Sequence, residues 1–192
     1  GRLDGTLVLG GPQLNDVPLV TLPGRGTRLK GHADAIELVA DLEARGIVVG
    51  LLLLGAHQPG REAYIAELQA LAQARGVAGR LAISAPRDDV RDVYAISSLV
   101  LQLSNKPESF GRTVIEALAL CRPVLGYDHG GVGELLADLY PVGRVAPGDR
   151  ARLVERAAEL LHRAPAIAPL QRYRLEDMQR ATLALYDELA TA

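Results

Sequence analysis

The chain has 192 residues, of which 48% are hydrophobic and only 4% aromatic, so it is long enough for one well-packed domain and short for two. Its formal net charge is −2 and its basic residues are scattered, so the sequence gives no indication of nucleic-acid binding. A single cysteine, Cys121, excludes internal disulfides and cysteine-based metal clusters.

The sequence contains neither an apolar run of transmembrane length nor a basic segment followed by an apolar one of the signal-peptide type. We therefore expect a cytoplasmic location. Association with the inner face of a membrane, through a domain outside this chain, stays open.

Apolar runs alternate with amphipathic stretches from Val17 onward. Strands are predicted at 17–22, 47–54, 80–84, 99–103, 124–126 and 142–146, and helices at 31–45, 61–75, 86–95, 108–120, 149–163 and 169–189, with one more helix beginning near 130–134. We predict residues 1–16 to be a linker and residues 17–192 to form the domain. Repeated strand–helix alternation favours an α/β fold, a three-layer, Rossmann-like, doubly wound parallel sheet with a terminal helix.

A basic, glycine-rich loop follows the first strand. The segment 22–31 reads Leu-Pro-Gly-Arg-Gly-Thr-Arg-Leu-Lys-Gly and lies where open α/β sheets bind ligands, at the carboxyl end of a strand. It matches only the first two glycines of a dinucleotide fingerprint and lacks the Gly-Lys-Ser/Thr ending of a P-loop, so neither kind of site is expected.

The segment 107–134 reads as loop, helix, strand, loop and helix. Its first helix is apolar almost all round from Val114 to Leu120, so we expect it to be buried. Its polar stripe consists of Ser109, Arg112, Thr113 and Glu116. A helix from 108 would separate Glu108 from Glu116 by roughly 12 Å, with the free N–H groups of the helix start between them as a phosphate site.

Spacing alone favours a simpler explanation for the charged residues of this helix. Glu108, Arg112 and Glu116 follow one another at intervals of four residues, which is typical of ion pairs along a helix surface. Such pairs contribute only about 0.2–0.5 kcal/mol each. On this interpretation the two glutamates bind no ligand.

The longer pattern argues against that explanation. Glu-Ser-Phe-Gly at 108–111, Glu-Ala-Leu-Ala at 116–119, Arg-Pro-Val at 122–124 and Asp-His-Gly-Gly-Val-Gly-Glu at 128–134 closely resemble the nucleotide-sugar-binding signature of retaining GT-B glycosyltransferases of the group 1, or family 4, type. The Gly-Arg and Lys-Gly pairs of 24–31 resemble the segment of those enzymes that binds the donor diphosphate. The resemblance covers roughly residues 17–190.

This resemblance implies roles for particular residues. Arg25 and Lys30 would bind the donor diphosphate and Glu108 the donor sugar, which makes these three the catalytic candidates, and Glu116 would bind the ribose. The other implied substrate-binding residues are Gly24, Ser109, Phe110, Gly111, Arg112, Thr113, His129, Gly130 and Gly131. No cofactor or metal is expected, and His32, His57, His129 and His162 have no metal-site spacing.

His129, Gly130 and Gly131 lie in a turn between a strand and a helix, facing the expected site. The two glycines would allow a ligand to approach the backbone closely. The alternative is that Asp128 caps the helix and His129 merely covers the turn.

Three positions depart from the family pattern. Gly26 stands where a leucine is usual and Cys121 where a glycine is usual, and both are interpreted as packing changes, with Cys121 at a buried helix end. The turn after Gly55 lacks the acidic residue that is often found there. The nucleotide base is therefore not predicted, and the segment 84–86 near the expected base pocket does not settle it.

The resemblance implies the carboxy-terminal, donor-binding half of a retaining hexosyltransferase-type enzyme. Its acceptor would be a glycan or a lipid-linked molecule, as in bacterial cell-surface polysaccharide synthesis, bound mainly by an amino-terminal domain on which the terminal helix would dock. We expect donor binding with little or no transfer by this chain alone. A nucleotide-sugar epimerase-type enzyme on the same fold and a non-catalytic interaction domain are the alternatives.

Overall fold

A computed structural model describes residues 17–170. The predicted linker 1–16 and all but the start of the predicted terminal helix 169–189 lie outside the described residues. The strands are β1 Leu19–Pro23, β2 Gly50–Leu54, β3 Leu81–Ile83, β4 Leu99–Gln102, β5 Val124–Tyr127 and β6 Arg144–Val145. They form one parallel sheet in the order β3-β2-β1-β4-β5-β6, which confirms the predicted Rossmann-like, doubly wound fold.

Helices follow the strands in the predicted alternation. They are α1 His32–Ala44, α2 Glu62–Ala74, α3 Val90–Ile96, α4 Arg112–Ala119, α5 Gly130–Leu139 and α6 Arg150–Arg163, with 3-10 turns at Arg28–Lys30, Ala78–Arg80 and Pro141–Gly143. Between residues 17 and 170, none of these helices combines the length and the apolar character that crossing a membrane requires.

The core lies around β1, β2, β4 and β5. Every residue of β2 is buried, as a continuous apolar run in a parallel sheet predicts. The residues predicted to face inward from α1, namely Ile36, Leu38, Val39 and Leu42, are buried as well. Strand β2 is shorter than the predicted 47–54, because residues 47–49 connect α1 to β2 before sheet pairing begins.

Helix α4 begins four residues later than predicted. Gly111 has a left-handed backbone (φ 74°) and precedes the first helical residue, Arg112. Glu108 therefore lies in the loop before the helix, and the predicted separation of 12 Å along a helix does not apply. Helix α3 likewise begins at Val90 rather than at Pro86.

Helix α4 was expected to be buried apart from one polar stripe, whereas it is buried on one face only. Val114, Ala117 and Leu118 are buried, whereas Glu116 and Ala119 are exposed. Only the face turned toward the sheet and its neighbouring helices contributes to the core. The opposite face is open to ligands and solvent.

Helix α4 ends at Ala119, and Cys121, just past the cap residue Leu120, is exposed and has a left-handed backbone with φ 55°. The Cys121 N–H donates to the Leu118 carbonyl and the Arg122 N–H to the Ala117 carbonyl, the pattern of a Schellman cap. The buried packing role predicted for Cys121 was therefore wrong. The backbone at this position is one that glycine adopts without strain.

The sheet order reverses between β1 and β4, which are neighbours in space. The loops that leave the carboxyl ends of these two strands run in opposite directions along the sheet. A crevice opens between such loops in open α/β sheets, and ligands bind there. This topology places the loop 24–31 beside the loop 103–111.

Candidate functional site

A cleft of about 940 Å³ lies at the carboxyl edge of the sheet, between the loops after β1, β2 and β4 and helices α3 and α4. The predicted site residues that line it are Gly24, Arg25, Lys30, Glu108, Ser109, Phe110, Gly111, Arg112, Thr113 and Glu116. His129, Gly130 and Gly131 do not line it. The fold thus brings most of the predicted residues together from two loops that are far apart in sequence.

The loop after β1 presents Arg25 to the cleft. The Arg25 side chain is exposed and makes no hydrogen bond or ion pair with the residues between 17 and 170. Gly24 leaves room for the neighbouring Lys30, because a Cβ there would lie 3.1 Å from the Lys30 Cγ. This loop therefore offers two cations to the cleft, Arg25, which has no ion-pair partner in the described part of the chain, and the neighbouring Lys30.

Gly26 owes its identity to a close approach of the backbone. A Cβ at this position would fall far inside van der Waals contact with the Ala56 carbonyl oxygen. A leucine would require the segment after β2 to move away. Glycine at position 26, where the family usually has leucine, is therefore explained by the close approach of the Ala56 backbone in the loop after β2.

The two loops meet through Gly31. Its backbone is left-handed (φ 74°), and a Cβ there would overlap the Leu103 carbonyl oxygen. Glycine thus lets the first turn of α1 pack directly on the end of β4. This contact brings Lys30 next to the loop that carries Glu108.

Lys30 and Glu108 form an ion pair across the cleft, with the Lys30 Nζ 2.5 Å from the Glu108 Oε1. The Ser104 hydroxyl also donates to Oε1, and the Gln102 amide donates to Oε2 over 3.3 Å. Burial raises the pKa of Glu108, but the hydrogen bonds from Lys30 and Ser104 and the Lys30 charge outweigh it, so this pKa lies below its ordinary value. The Glu108 carboxylate is therefore ionised, and its three partners fix it in place as an acceptor of hydrogen bonds.

This geometry differs from the ion pairs that spacing alone favours. Glu108 pairs with Lys30 rather than with Arg112, because it lies before the helix. Among residues 17–170, neither Arg112 nor Glu116 takes part in an ion pair. Glu116 is exposed on the wall of the cleft, so its carboxylate is available to a ligand.

The start of α4 supplies backbone donors to the same cleft. Gly111, Arg112 and Thr113 line it, and the first N–H groups of a helix have no partner within the helix. The positive end of the helix dipole also favours an anion here. Phe110, beside them, is 75% exposed, which is unusual for a large apolar side chain.

Tyr94, which the sequence analysis did not single out, extends the cleft wall that carries Glu116. Burial raises the pKa of Tyr94 to about 12, and Thr113, Glu116 and Arg112 are near enough to influence it. Its hydroxyl therefore stays protonated and lies among the polar residues of α4. Nothing in the spacing of residues 90–96 singles this tyrosine out.

Other cleft residues were also missed. They are Gln58 after β2, Arg87 and Arg91 around the start of α3, and Gln102 at the end of β4. The Arg87 guanidinium binds the Asp89 carboxylate through two hydrogen bonds, of 2.7 and 2.6 Å. Their common signal is position, since each follows or ends a strand whose carboxyl end borders the cleft.

His129, Gly130 and Gly131 lie behind the Glu108 loop. The His129 Nε2 lies 2.8 Å from the Ser104 carbonyl oxygen, and the Gly131 N–H donates to the Glu108 carbonyl over 2.7 Å. A Cβ at Gly130 would lie 2.7 Å from that same carbonyl oxygen. The backbone that approaches these glycines is therefore that of the protein's own loop.

Asp128 does not cap α5. No side chain in the described part of the chain caps the start of α5, and the Asp128 carboxylate instead pairs with Arg144 at 2.7 Å. The alternative interpretation of this turn was therefore wrong for Asp128. Between residues 17 and 170, no group of three or more His, Cys, Asp or Glu side chains has the arrangement of a metal site.

Sequence comparison places the chain among known proteins. The pattern of the family described as Glycosyl transferases group 1 matches residues 12–174. The alpha-D-kanosaminyltransferase of Streptomyces kanamyceticus is 29% identical over 150 residues, which are 77% of this chain and 37% of that enzyme. The chain thus spans little more than a third of the length of this relative.

Solved structures share the fold. Sucrose-phosphate synthase from Thermosynechococcus elongatus superposes with a TM-score of 0.76 and 23% identity, over 92% of this chain and 46% of that one. Anabaena Alr3699/HepE, in complex with UDP and glucose, gives a TM-score of 0.75 with 23% identity over 93% and 50% of the two chains. With its Rossmann-like sheet and a family pattern that spans most of its length, the chain belongs to the glycosyl transferases group 1 family.

Proposed function

We propose that this chain binds the nucleoside diphosphate sugar donor of a retaining glycosyltransferase, as the carboxy-terminal half of a GT-B enzyme. The observation that carries the proposal is the meeting of Lys30 and Glu108 in one cleft at the reversal of the sheet order. In this cleft the Lys30 ammonium, which can bind a diphosphate, lies beside the Glu108 carboxylate, which can accept hydrogen bonds from sugar hydroxyls. The complex of Alr3699/HepE with UDP and glucose supports a donor of this chemical class.

The diphosphate would lie between the loop after β1 and the start of α4. Within residues 17–170, Arg25 has no ion-pair partner and the backbone N–H groups of Arg112 and Thr113, at the start of α4, have no hydrogen-bond acceptor. When the sugar leaves, negative charge develops on the diphosphate. Donors already in place stabilise that charge without reorganising, and this is how the site would accelerate transfer.

The sugar and the ribose would be held by the two glutamates. Glu108 is ionised and fixed, so its oxygens accept hydrogen bonds from the sugar hydroxyls. Glu116 is exposed without an ion pair among the described residues and would accept from the ribose hydroxyls. Catalysis in this proposal consists of positioning and charge stabilisation by Glu108, Arg25 and Lys30, and it uses no metal cofactor.

The acceptor side of the reaction belongs to the proposal as well. A glycan or a lipid-linked acceptor would be bound mainly by an amino-terminal domain, as in cell-surface polysaccharide synthesis, and a lipid-linked acceptor would bring the enzyme to a membrane surface. This chain alone would bind the donor and transfer little or no sugar.

Calorimetric titration of the chain with UDP, GDP, ADP and their common sugar conjugates tests the proposal. We expect one nucleotide to bind and both Arg25→Ala and Glu116→Ala to weaken it by roughly tenfold, because each removes a charged hydrogen-bonding group. Arg45→Ala and Glu134→Ala remove exposed charges outside the cleft and serve as matched controls. Unchanged affinity in both cleft variants would refute the proposal, and so would the absence of binding by any nucleotide.

A further inference from the structure

Strand β4 ends in a polar residue that its place in the core does not explain. The strand reads Leu-Val-Leu-Gln, and Gln102 is only 3% exposed. It pairs with Gly126 of the neighbouring strand β5, in the middle of the sheet. A buried amide costs free energy unless its donors and acceptor find partners, so the contacts of this side chain indicate what it does.

The Gln102 side chain is directed toward Glu108. Its Nε2 donates to the Glu108 Oε2 over 3.3 Å, and its Oε1 lies 3.5 Å from the Ser104 hydroxyl. That hydroxyl has one proton, which its much closer contact with the Glu108 Oε1 takes up. The amide of Gln102 is therefore committed to the second oxygen of the Glu108 carboxylate.

The two oxygens of Glu108 have different partners. Oε1 accepts hydrogen bonds from Lys30 and Ser104, whereas Oε2 accepts one from Gln102. Partners on both oxygens fix the plane of the carboxylate, which partners on Oε1 alone would leave free to rotate. Gln102 is also deeper in the protein than Lys30, whose side chain is 24% exposed.

Lys30 and Gln102 also differ in what a donor would do to them. A diphosphate in the cleft competes for the Lys30 ammonium, because opposite charges attract strongly in a partly buried site. It has no comparable attraction for a neutral, buried amide. The Lys30 contact with the Glu108 Oε1 would thus weaken when the donor, and with it the sugar, binds.

We propose that Gln102 is a positioning residue that holds the Glu108 carboxylate in its sugar-binding orientation while the donor diphosphate engages Lys30. This inference rests on the proposed function for the identity of the ligand, but the hold on Glu108 is a property of the free protein. Gln102 itself does not touch the reacting atoms. Ser104 assists it from the other oxygen, and His129 keeps Ser104 in place through its carbonyl.

The first test needs no ligand. The pKa of the Glu108 carboxyl is measured by NMR titration in the wild-type chain and in Gln102→Leu, which keeps a similar volume and removes the amide. We expect the pKa to rise in the variant, because the carboxylate loses a donor and keeps its burial. Thr21→Val is the matched control. Thr21 lies in the adjacent strand β1, and the variant removes another buried polar contact, the 2.8 Å hydrogen bond between Thr21 and Ser97.

The second test separates positioning from general damage to the fold. The wild type, Gln102→Leu and Thr21→Val are each titrated with UDP, GDP, UDP-glucose and GDP-mannose. For each protein we take the ratio of its affinity for the sugar nucleotide to its affinity for the bare nucleotide, and we compare this ratio between the proteins. Loss of one hydrogen bond predicts that Gln102→Leu lowers this ratio by roughly fivefold and changes the affinity for the bare nucleotide by less than about twofold. Thr21→Val should leave the ratio unchanged.

The outcomes distinguish the inference from the proposed function. An unchanged Glu108 pKa in Gln102→Leu would overturn the inference even if nucleotides bind normally. An equal loss of affinity for the nucleotide and the sugar nucleotide would overturn it too, because it would indicate a structural role. If the wild-type chain binds no nucleotide, the proposed function fails, and a raised Glu108 pKa in the variant would still support the hold on the carboxylate.

Discussion

Lys30 and Glu108 are 78 residues apart in sequence, yet the Lys30 ammonium lies 2.5 Å from the Glu108 Oε1. The pair joins the loop after β1 to the loop after β4, the two strands at which the order of the sheet reverses. Each side chain is 24% exposed, so solvent screens the pair only in part. A bound diphosphate would have to share the Lys30 charge with this internal carboxylate.

Replacing Lys30 with methionine is expected to change both the pKa of Glu108 and the acid sensitivity of the fold. The Glu108 pKa lies below its ordinary value of 4.5, so the stability it contributes is fully present above that pH and is lost as pH falls through the lowered pKa. Without Lys30 the folded-state pKa should rise toward 4.5, so the stability lost through Glu108 as the pH falls below 4.5 should be smaller in the variant than in the wild type. Urea unfolding from pH 6 to 3 measures this.

Lys106→Met is the control for that experiment, because it removes an exposed lysine from the Glu108 loop. It should leave the pH profile of stability as in the wild type. The ion pair would be shown to be unimportant if Lys30→Met and Lys106→Met had the same profile.

The sequence predicted the sheet well because its signals are local. The continuous apolar run that ends in β2 and the inward positions of α1 follow from hydrophobic period alone. The start of α4 was misplaced because Glu108, Ser109 and Phe110 have no feature that excludes a first helical turn. The left-handed backbone of Gly111, which sets the start at Arg112, depends on its packing against α5.

The residues of the cleft were predicted largely from the resemblance, but their contacts were not. No spacing rule joins Lys30 to Glu108, since the contact exists only after β1 and β4 become neighbours. Gln102 was missed because one polar residue inside the predicted strand 99–103 gives no sign of a side-chain partner in the loop that follows. Its burial comes from the loop that folds back over it.

Replacing Cys121 with glycine is expected to stabilise the fold. Cys121 holds a left-handed backbone at an exposed helix end, which costs a residue with a Cβ about 1–2 kcal/mol and glycine nothing. Glycine loses about 0.5–1 kcal/mol through the greater entropy of the unfolded chain. The net gain should be about 0.5–1 kcal/mol in the free energy of unfolding, measured with urea.

Cys121→Ser is the matched control, because it removes the thiol and keeps the Cβ. It should have the stability of the wild type. Equal stabilisation by serine and glycine would mean that the thiol, and not the backbone, is the source of the effect.

Asn105 is expected to hold the turn that carries Lys30. Its backbone N–H donates to the Leu29 carbonyl over 2.8 Å and its side-chain amide to the Arg28 carbonyl over 3.1 Å. Asn105→Ala removes the second bond, so the turn should open more often and the Lys30 amide should exchange its hydrogen roughly fivefold faster. Hydrogen exchange followed by NMR measures this rate.

Lys106→Ala, at the next position, tests whether the effect is specific to Asn105. It should leave exchange at Lys30 unchanged. The coupling between the two loops would be contradicted if Asn105→Ala altered exchange at its own position and not at Lys30.

His32 is expected to make the fold sensitive to weakly acidic pH. It is fully buried at the start of α1, with its Nδ1 3.3 Å from the Tyr64 hydroxyl and its Nε2 without a hydrogen-bond partner among the described residues. Burial lowers its pKa from 6.5 to about 4, although the Thr27 backbone opposes this shift. The neutral imidazole is therefore the form that the folded protein accepts.

The direction of the pH effect follows from which state binds the proton. Between pH 6.5 and about 4 the unfolded chain protonates His32 and the folded chain does not, so acid favours unfolding over this range. The shift corresponds to a loss of about 3 kcal/mol across the window. His32→Phe, which has no proton to bind, should lose less stability than the wild type between pH 7 and pH 4.

His57→Gln replaces an exposed histidine and should show the same pH dependence as the wild type. Urea unfolding of the three proteins at half-unit steps of pH gives the comparison directly. If His32→Phe retained the full acid loss, groups other than His32 would be responsible. If His32→Phe differed from the wild type only below pH 4.5, where carboxyl groups titrate, the buried imidazole would not be the group that responds, because its effect begins near pH 6.5.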